Sequence, residues 1–486
     1  MKLFEPLDIK GMVLPNRIMV PAMVTRLADE QGAVNQDVID RYVRYAKGGS
    51  GLIVVEAMAV HQSKAGQLLR INDDDKIPGL TELVRRVHDT SDSKIVPQII
   101  HFMKVSLSGW RQTVDMLSIE DIDLIVEQFG DAVRRARQAG FDGAEIHGAH
   151  AYTLASFFSR RNTRKEDPYE GQSLEGRLHL IGRVMENIRG KVGHDFPVGI
   201  RINADEFIRD GYTVGDAKLI ALRLAQLGFD YLSLSVGGKF EDAEHVPGTV
   251  FFPYTGYSGD RCMPPAWYPP APNVHLAAEI KAFLNANGHH LPVAGAGRLD
   301  EPDVAESVLV EGKMDFVGLA RGLLADPDWP NKVRKGEIDR LVKCDYCNVC
   351  KHLAGTHNKV NCFLWPKGAI QAPADQPAAG APSWGPDKGG LSLTMQNGSA
   401  VLTWKKVPGA ARYDVYRADD DGKVHVEDAV KVTRWVDGGI LAGMRYRYYV
   451  RACSDTGQTS TPSNSVVIEP QMPAAVLASQ SVHSAA

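Results

Sequence analysis

Several things are missing from this chain, and each absence closes off a class of function. No stretch holds the roughly 20 consecutive apolar residues that a membrane-crossing helix needs. The opening residues, MKLFEPLDIKGMVLPNR, lack the short apolar run of a secretory leader, so a cytoplasmic location without membrane attachment is expected. Neither sign of charge dominates: 55 Lys and Arg against 59 Asp and Glu leave a net charge of −4, which argues against nucleic acid as a partner. The dinucleotide fingerprint G-x-G-x-x-G is absent, and its nearest match, GAGR at Gly295–Arg298, lacks the third glycine. Cysteine is scarce at six residues, yet Cys344, Cys347, Cys350 and Cys362 fall within 19 positions. In a reducing compartment such clustering points to metal ligation before disulfides. Cys262 and Cys453 stand apart and read as ordinary core or surface residues.

What is present is a long alternation of short apolar runs and amphipathic stretches. At 486 residues the chain exceeds what one core normally holds, so more than one domain is expected. Candidate strands are Arg17–Met23, Gly51–Glu56, Ile95–Ile99, Phe141–Ile146, Pro197–Arg201, Tyr231–Ser235, Pro292–Ala294 and Phe316–Leu319. Helix-like segments lie between them, such as Asp37–Lys47, Glu120–Gln138, Leu174–Arg189 and Val214–Leu227, and several end at a glycine. Apolar strands separated by helices pair in parallel, and eight such units predict an α/β TIM (β/α)8 barrel over residues 1–340. The pattern changes after Pro366. A Pro/Ala/Gly-rich linker over 367–388 gives way to short alternating strands over 389–470, which read as a small all-β immunoglobulin-like sandwich. Residues 471–486 read as a flexible tail.

The stretch Phe141–Tyr152, FDGAEIHGAHAY, places His147, His150 and Tyr152 directly after a candidate strand. In α/β barrels the C-terminal strand ends gather the chemistry. Alone, the histidine pair is weak evidence, because a zinc site would need further ligands and core histidines are commoner.

Separated motifs give the trio a context. They are NRIMVPAM (Asn16–Met23), AKGGSGLIVVEA (Ala46–Ala57), PQIIH (Pro97–His101), AGFDGAEIHGAHAY (Ala139–Tyr152), FPVGIRIN (Phe196–Asn203), VAGAGR (Val293–Arg298) and GLARGLLADPDWPNK (Gly318–Lys332). Residues 1–365 thereby resemble the Old Yellow Enzyme-like NADH:flavin oxidoreductases, in the branch of the 2,4-dienoyl-CoA reductases. The resemblance implies an FMN-dependent oxidoreductase that reduces an activated C=C bond of an enone, enoyl or dienoyl substrate, with NAD(P)H as reductant. It puts Gly297, Arg298, Ala320 and Arg321 at the FMN phosphate, where barrels commonly bind phosphate. Ala22, Met23, Val24, Ala57, Gln98 and Arg201 fall around the ring system. His147 and His150 would hold the substrate carbonyl, and Tyr152 would protonate the adjacent carbon. Val24 departs from relatives that carry a hydrogen-bonding Thr or Cys there, and the spacing over Asn162–Arg177 is longer than in the family.

The resemblance also implies a [4Fe-4S] cluster on Cys344, Cys347, Cys350 and Cys362, although the second gap here is one residue shorter than the family's. Zinc is the competing ligand. Nucleotide-binding domains follow the cluster in long relatives. Their absence here leaves either direct reduction by NAD(P)H or an electron-donor or acceptor protein as partner, and a homo-oligomer is compatible with either. The terminal module resembles fibronectin type III domains, with Trp404 as core tryptophan and Tyr446 as the tyrosine corner. Two other functions are compatible with the sequence. One is a flavin-dependent amine or N-methyl dehydrogenase passing electrons through the cluster; the other is a docking or electron-transfer subunit. In the loop Gly237–Pro272, Tyr254, Tyr257, Trp267 and Tyr268 could line a pocket or simply pack the loop down.

Overall fold

A closed barrel of eight parallel strands organises the first two-thirds of the chain in the computed structural model, which describes residues 1–62, 66–106, 108–243, 254–374, 380–419 and 422–469. An N-terminal hairpin, β1 (Leu7–Ile9) and β2 (Met12–Leu14), precedes it. The barrel strands are β3 (Ile18–Val20), β4 (Leu52–Ala59), β5 (Lys94–Ile100), β6 (Ala144–Gly148), β7 (Val198–Asn203), β8 (Tyr231–Ser235), β9 (Val293–Ala296) and β10 (Phe316–Gly318), with β10 closing on β3. All eight expected strands are present. The first is shorter than expected because Pro21 has no N–H to continue the ladder. Among the described residues no helix is long and apolar enough to cross a membrane.

Side-chain alternation gives the barrel two different ends. Strand residues of one parity face the surrounding helices and join the main apolar core, such as Ile53, Val55, Ile146, Ile200 and Leu232. Residues of the other parity point inward. At the start of the strands these are apolar: Met19, Leu52, Val54, Val96, Tyr231, Ala294 and Phe316 form a second cluster, with Ile9, Met12 and Leu14 of the hairpin beneath them. Gly199 belongs to this layer for a steric reason: a Cβ there would lie 2.2 Å from the Tyr231 ring. Two residues further along the same rows the inward side chains become polar. Val96 leads to Gln98, Glu145 to His147, Gly199 to Arg201, and Tyr231 to Ser233 and Ser235. Strand register sets them side by side, with Gln98 opposite Glu145 and Arg201 between His147 and Ser233.

The chain divides into two compact units, residues 1–346 with 354–360, and residues 347–353 with 361 onward. The second unit is an all-β module. One sheet runs β11 (Ser392–Gln396), β12 (Ser399–Thr403), β15 (Arg434–Asp437). The other runs β14 (Val424–Val430), β13 (Arg412–Asp419), β16 (Tyr446–Cys453), β17 (Val466–Ile468). Trp384, Trp404, Tyr413, Tyr448 and Val450 fill its core, so the Pro-rich stretch contributes a core tryptophan. The Leu441 amide donates to Tyr446 Oη at 3.0 Å, tying the start of β16 to the preceding turn. The expected tail, 471–486, lies outside the described residues.

Candidate active site

The end of β6, which carries His147, and the turn after it deliver the three residues singled out above. His150 and Ala151 both take positive φ (58° each), the left-handed region that costs a residue with a Cβ, so the chain reverses abruptly before Tyr152 caps the helix Thr153–Phe158. The reversal gathers the rings: His147 lies 5.2 Å from both His150 and Tyr152, centroid to centroid. Both histidines are buried. Burial holds His147 down at about 3, with the Arg201 and Lys239 charges adding to it. The same burial, with His147, Arg201 and Lys239 beside it, holds His150 well below the usual imidazole value. At neutral pH both are therefore uncharged rings with one N–H each.

The two imidazoles are not equivalent. His150 Nε2 lies 2.6 Å from Ser235 Oγ, and its backbone N–H points at Asn203 Oδ1. Among the described residues, buried His147 Nδ1 has no hydrogen-bond partner. A carbonyl oxygen meeting that nitrogen would satisfy it and fix the tautomer with the proton on Nδ1.

Arg201, from β7, is buried and donates to Ser233 Oγ at 2.7 Å. Gln98 donates to Glu145 Oε1 at 2.6 Å, and Tyr231 reaches the other oxygen at 3.3 Å. Burial raises the Glu145 carboxyl, while the Arg201 charge pulls the other way. Ala22, Met23 and Val24 follow β3, and Ala57 lies within β4. Val24 supplies no hydrogen bond, and the neighbouring hydroxyl does not replace it: Thr25 Oγ1 donates to buried Glu56 at 2.5 Å and its amide adds a second bond at 2.8 Å.

At the ends of β9 and β10, Arg298 and Arg321 converge on one ring, their guanidinium carbons 4.3 and 5.0 Å from the Tyr346 centroid. Arg298 donates to the carbonyls of Ala266 and Tyr268, and Arg321 to that of Pro264 at 2.9 Å. Gly297 sits at φ 119°, a backbone closed to other residues. Two guanidiniums on neutral carbonyl oxygens beside a glycine-only turn suit a phosphate, whose anionic oxygens accept more strongly than carbonyls. With Arg201 and the polar rim, these residues fit an FMN.

Several residues at this rim are not apparent from motif reading. Lys239, two residues past the turn glycine Gly237, donates from Nζ to Tyr152 Oη at 2.6 Å. Its ammonium sits 4.8, 5.1 and 5.2 Å from the ring centroids of Tyr152, Phe240 and Tyr254. Glu56, Glu145 and the pair His61–His101, 4.6 Å apart, are also buried or half-buried here. The signal that reveals the glutamates is parity, since Glu56 stands two residues along an inward row from Val54 and Glu145 two residues before His147. Of Tyr254, Tyr257, Trp267 and Tyr268, Tyr254 reaches this rim, 6.3 Å from His150. Tyr257 and Tyr268 instead flank the Arg261 guanidinium, and Trp267 is exposed. Residues 244–253 of that loop lie outside the described residues.

The cysteines divide between the two units, with Cys344 in the first and Cys347, Cys350 and Cys362 in the second. Among the described residues no three or more His, Cys, Asp or Glu side chains are gathered as a metal site.

Comparison with known proteins decides the family. Residues 2–254 and 270–340 match the family described as NADH:flavin oxidoreductase / NADH oxidase. The chain belongs to that family. It is 36% identical over 367 residues to an NADH oxidase of Thermoanaerobacter brockii, covering 71% of this chain and 53% of that protein. It is 32% identical over 350 residues to an NADPH dehydrogenase of Geobacillus thermodenitrificans, covering 68% and 94%. A cinnamate reductase of Clostridium sporogenes is 28% identical over 374 residues, covering 71% and 54%. The chain thus spans about half the length of several curated relatives it matches. Two solved structures share the fold at 24% identity. A 2-naphthoyl-CoA reductase complex gives a TM-score of 0.65 over 75% of this chain and 57% of its own. Histamine dehydrogenase from Rhizobium sp. 4-9 gives 0.63 over 75% and 52%. One structure is named for a reduction and the other for an amine dehydrogenation, so the fold alone leaves the chemistry open.

Proposed function

We propose that this protein reduces a C=C bond conjugated to a carbonyl, with FMN held at the C-terminal rim of the barrel and NAD(P)H as reductant. The observation that carries the reading is the meeting of an unpartnered neutral imidazole nitrogen, His147 Nδ1, with a tyrosine hydroxyl at one strand end. Bound FMN supplies the hydride. His147 donates to the substrate carbonyl oxygen and stabilises the negative charge that grows there. His150, anchored by Ser235, backs His147 as a neutral dipole. Tyr152 gives its proton to the carbon next to the carbonyl. Ala22, Met23, Val24, Ala57, Gln98 and Arg201 would border the flavin ring, and Gly297, Arg298, Ala320 and Arg321 its phosphate. A fixed cation such as Arg201 favours extra electron density on a bound flavin.

Lys239 supports reduction over amine dehydrogenation. An aromatic bowl suited to a substrate ammonium is present, but the chain's own ammonium fills it. A cationic amine would meet like charge there, whereas an enone or enoate carboxylate would not. The relative named for cinnamate points the same way.

Cys344, Cys347, Cys350 and Cys362 would hold a [4Fe-4S] cluster. Support comes from their spacing and from a donor set of thiols alone. The terminal module reads as a fibronectin type III domain, on its three-plus-four strand order and the Tyr446–Leu441 bond. Anaerobic titration of the purified protein with NADH and with NADPH, with absorbance and iron content followed, tests cofactors and reductant together. Bleaching of the flavin by either nucleotide and recovery of colour with an enone or enoate support the reading. Bleaching by a secondary or tertiary amine, with no response to the unsaturated carbonyl, would overturn it.

A further inference from the structure

The proton that Tyr152 gives away leaves a phenolate inside a buried aromatic wall, and something must hold that charge. The groups facing Tyr152 narrow the choice. Phe102 and Phe240 are uncharged rings, and Tyr254, whose side chain hydrogen-bonds to Tyr152, is held neutral by burial. His147 is held neutral by burial. Arg26 acts on Tyr152 through its field, and its guanidinium is hydrogen-bonded to the Ala354 carbonyl at 3.1 Å. Lys239 alone among these places a cationic donor on the hydroxyl oxygen, at 2.6 Å.

We propose that Lys239 is the positioning residue for the acid step: its ammonium occupies one lone pair of Tyr152 Oη, turns the O–H toward the substrate, and holds the phenolate once the proton has left. This rests on the reading of the site as a C=C reductase. The geometry gives it two supports. A tyrosine oxygen that accepts from an ammonium has no acceptor for its own proton on that side, so the O–H points elsewhere. The ammonium lies against three rings, and among the described residues no carboxylate pairs with it. In the step, the Tyr152 O–H bond breaks and a C–H bond forms at the carbon next to the carbonyl. The electron pair stays on the phenolate oxygen beside the Lys239 ammonium, and water then returns a proton to that oxygen.

The test uses the full-length holoprotein and its K239M, K239Q and K239R variants, each mixed in a single turnover with an enone after anaerobic reduction. K239M and K239Q should form product about 10–100-fold more slowly, the worth of one charge-assisted hydrogen bond. They should also show a larger solvent deuterium isotope effect as proton transfer limits the rate. K239R, which keeps the charge and a donor, should recover most of the loss. The effect should fall on the rate at saturating enone rather than on the enone concentration needed. Variants matching the parent in rate and isotope effect would overturn the role of Lys239 while leaving the reductase reading in place. So would K239R as slow as K239M with an unchanged isotope effect. A parent protein that reduces no enone or enoate would overturn the reading and this inference with it.

Discussion

Tyr152 of the barrel is used in the opposite way to the tyrosines of the β-module. In the β-module the hydroxyls are tied into the frame. Tyr448 donates to Asp437 at 2.9 Å, Tyr449 to the Phe363 carbonyl at 2.5 Å, and Tyr413 and Tyr446 accept from the backbone amides of Val407 and Leu441. In the barrel, Tyr152 accepts from a lysine and aims at the rim where His147 Nδ1 has no partner. A tyrosine that closes a hydrogen bond within the frame supports structure. One that accepts from a cation beside an unsatisfied donor is arranged for transfer. The second arrangement costs stability, because a buried polar atom without a partner carries a desolvation penalty, and it persists where chemistry needs it.

Substitutions can break this contrast, and the largest effect is expected at its centre. Tyr152→Phe should slow product formation by about 10²–10⁴-fold, the range of a general acid, with the loss confined to the step after flavin reduction. Stopped-flow measurement of each half-reaction checks this. His147→Ala should cost about 10²–10³-fold in turnover, as for other single oxyanion donors, and is read by steady-state kinetics on an enone. Tyr448→Phe should instead leave turnover unchanged and weaken the module by about 1.5–3 kcal/mol, since it removes a hydrogen bond to a buried carboxylate. Calorimetry of the full chain, with activity measured alongside, separates the two classes.

A smaller effect concerns pH. Burial lowers His101 from 6.5 to about 3, and His147 likewise. A depressed imidazole contributes stability above the unfolded value that is lost as pH falls from about 6.5 toward 3, because the unfolded chain takes up the proton first. Glu206 works in the other direction: burial raises it from 4.5 to about 7, so its contribution is full below about 4.5 and gone as pH rises through 7. His101→Gln should flatten the acid limb by up to about 1.4 kcal/mol per pH unit within the histidine window, measured as denaturation midpoints against pH.

Much of the barrel was legible in the sequence because strand and helix periods differ and eight repeats of the alternation are hard to mistake. Tyr231–Ser235 matches its expected bounds, whereas the strand expected over Phe141–Ile146 runs over Ala144–Gly148 and so includes His147. Lys239 was not legible, because a lysine in a glycine-rich loop reads as solvated until the fold closes three rings around it. The unequal roles of the two histidines were hidden for a similar reason: Ser235 lies 85 residues from His150 and meets it only through strand register. Val24 departs from family pattern in plain view, but that Thr25 does not compensate depends on Glu56, placed by the neighbouring strand.

The central claim is that this rim reduces an activated C=C bond rather than oxidising an amine. One paired measurement addresses it most directly. Anaerobically reduced protein is mixed with an enone or enoate, and oxidised protein with secondary and tertiary amines, with flavin absorbance followed in both. Rapid recovery of flavin colour and a saturated product are expected in the first mixture, and no bleaching in the second. Bleaching by an amine, together with a reduced flavin indifferent to the unsaturated carbonyl, would contradict it.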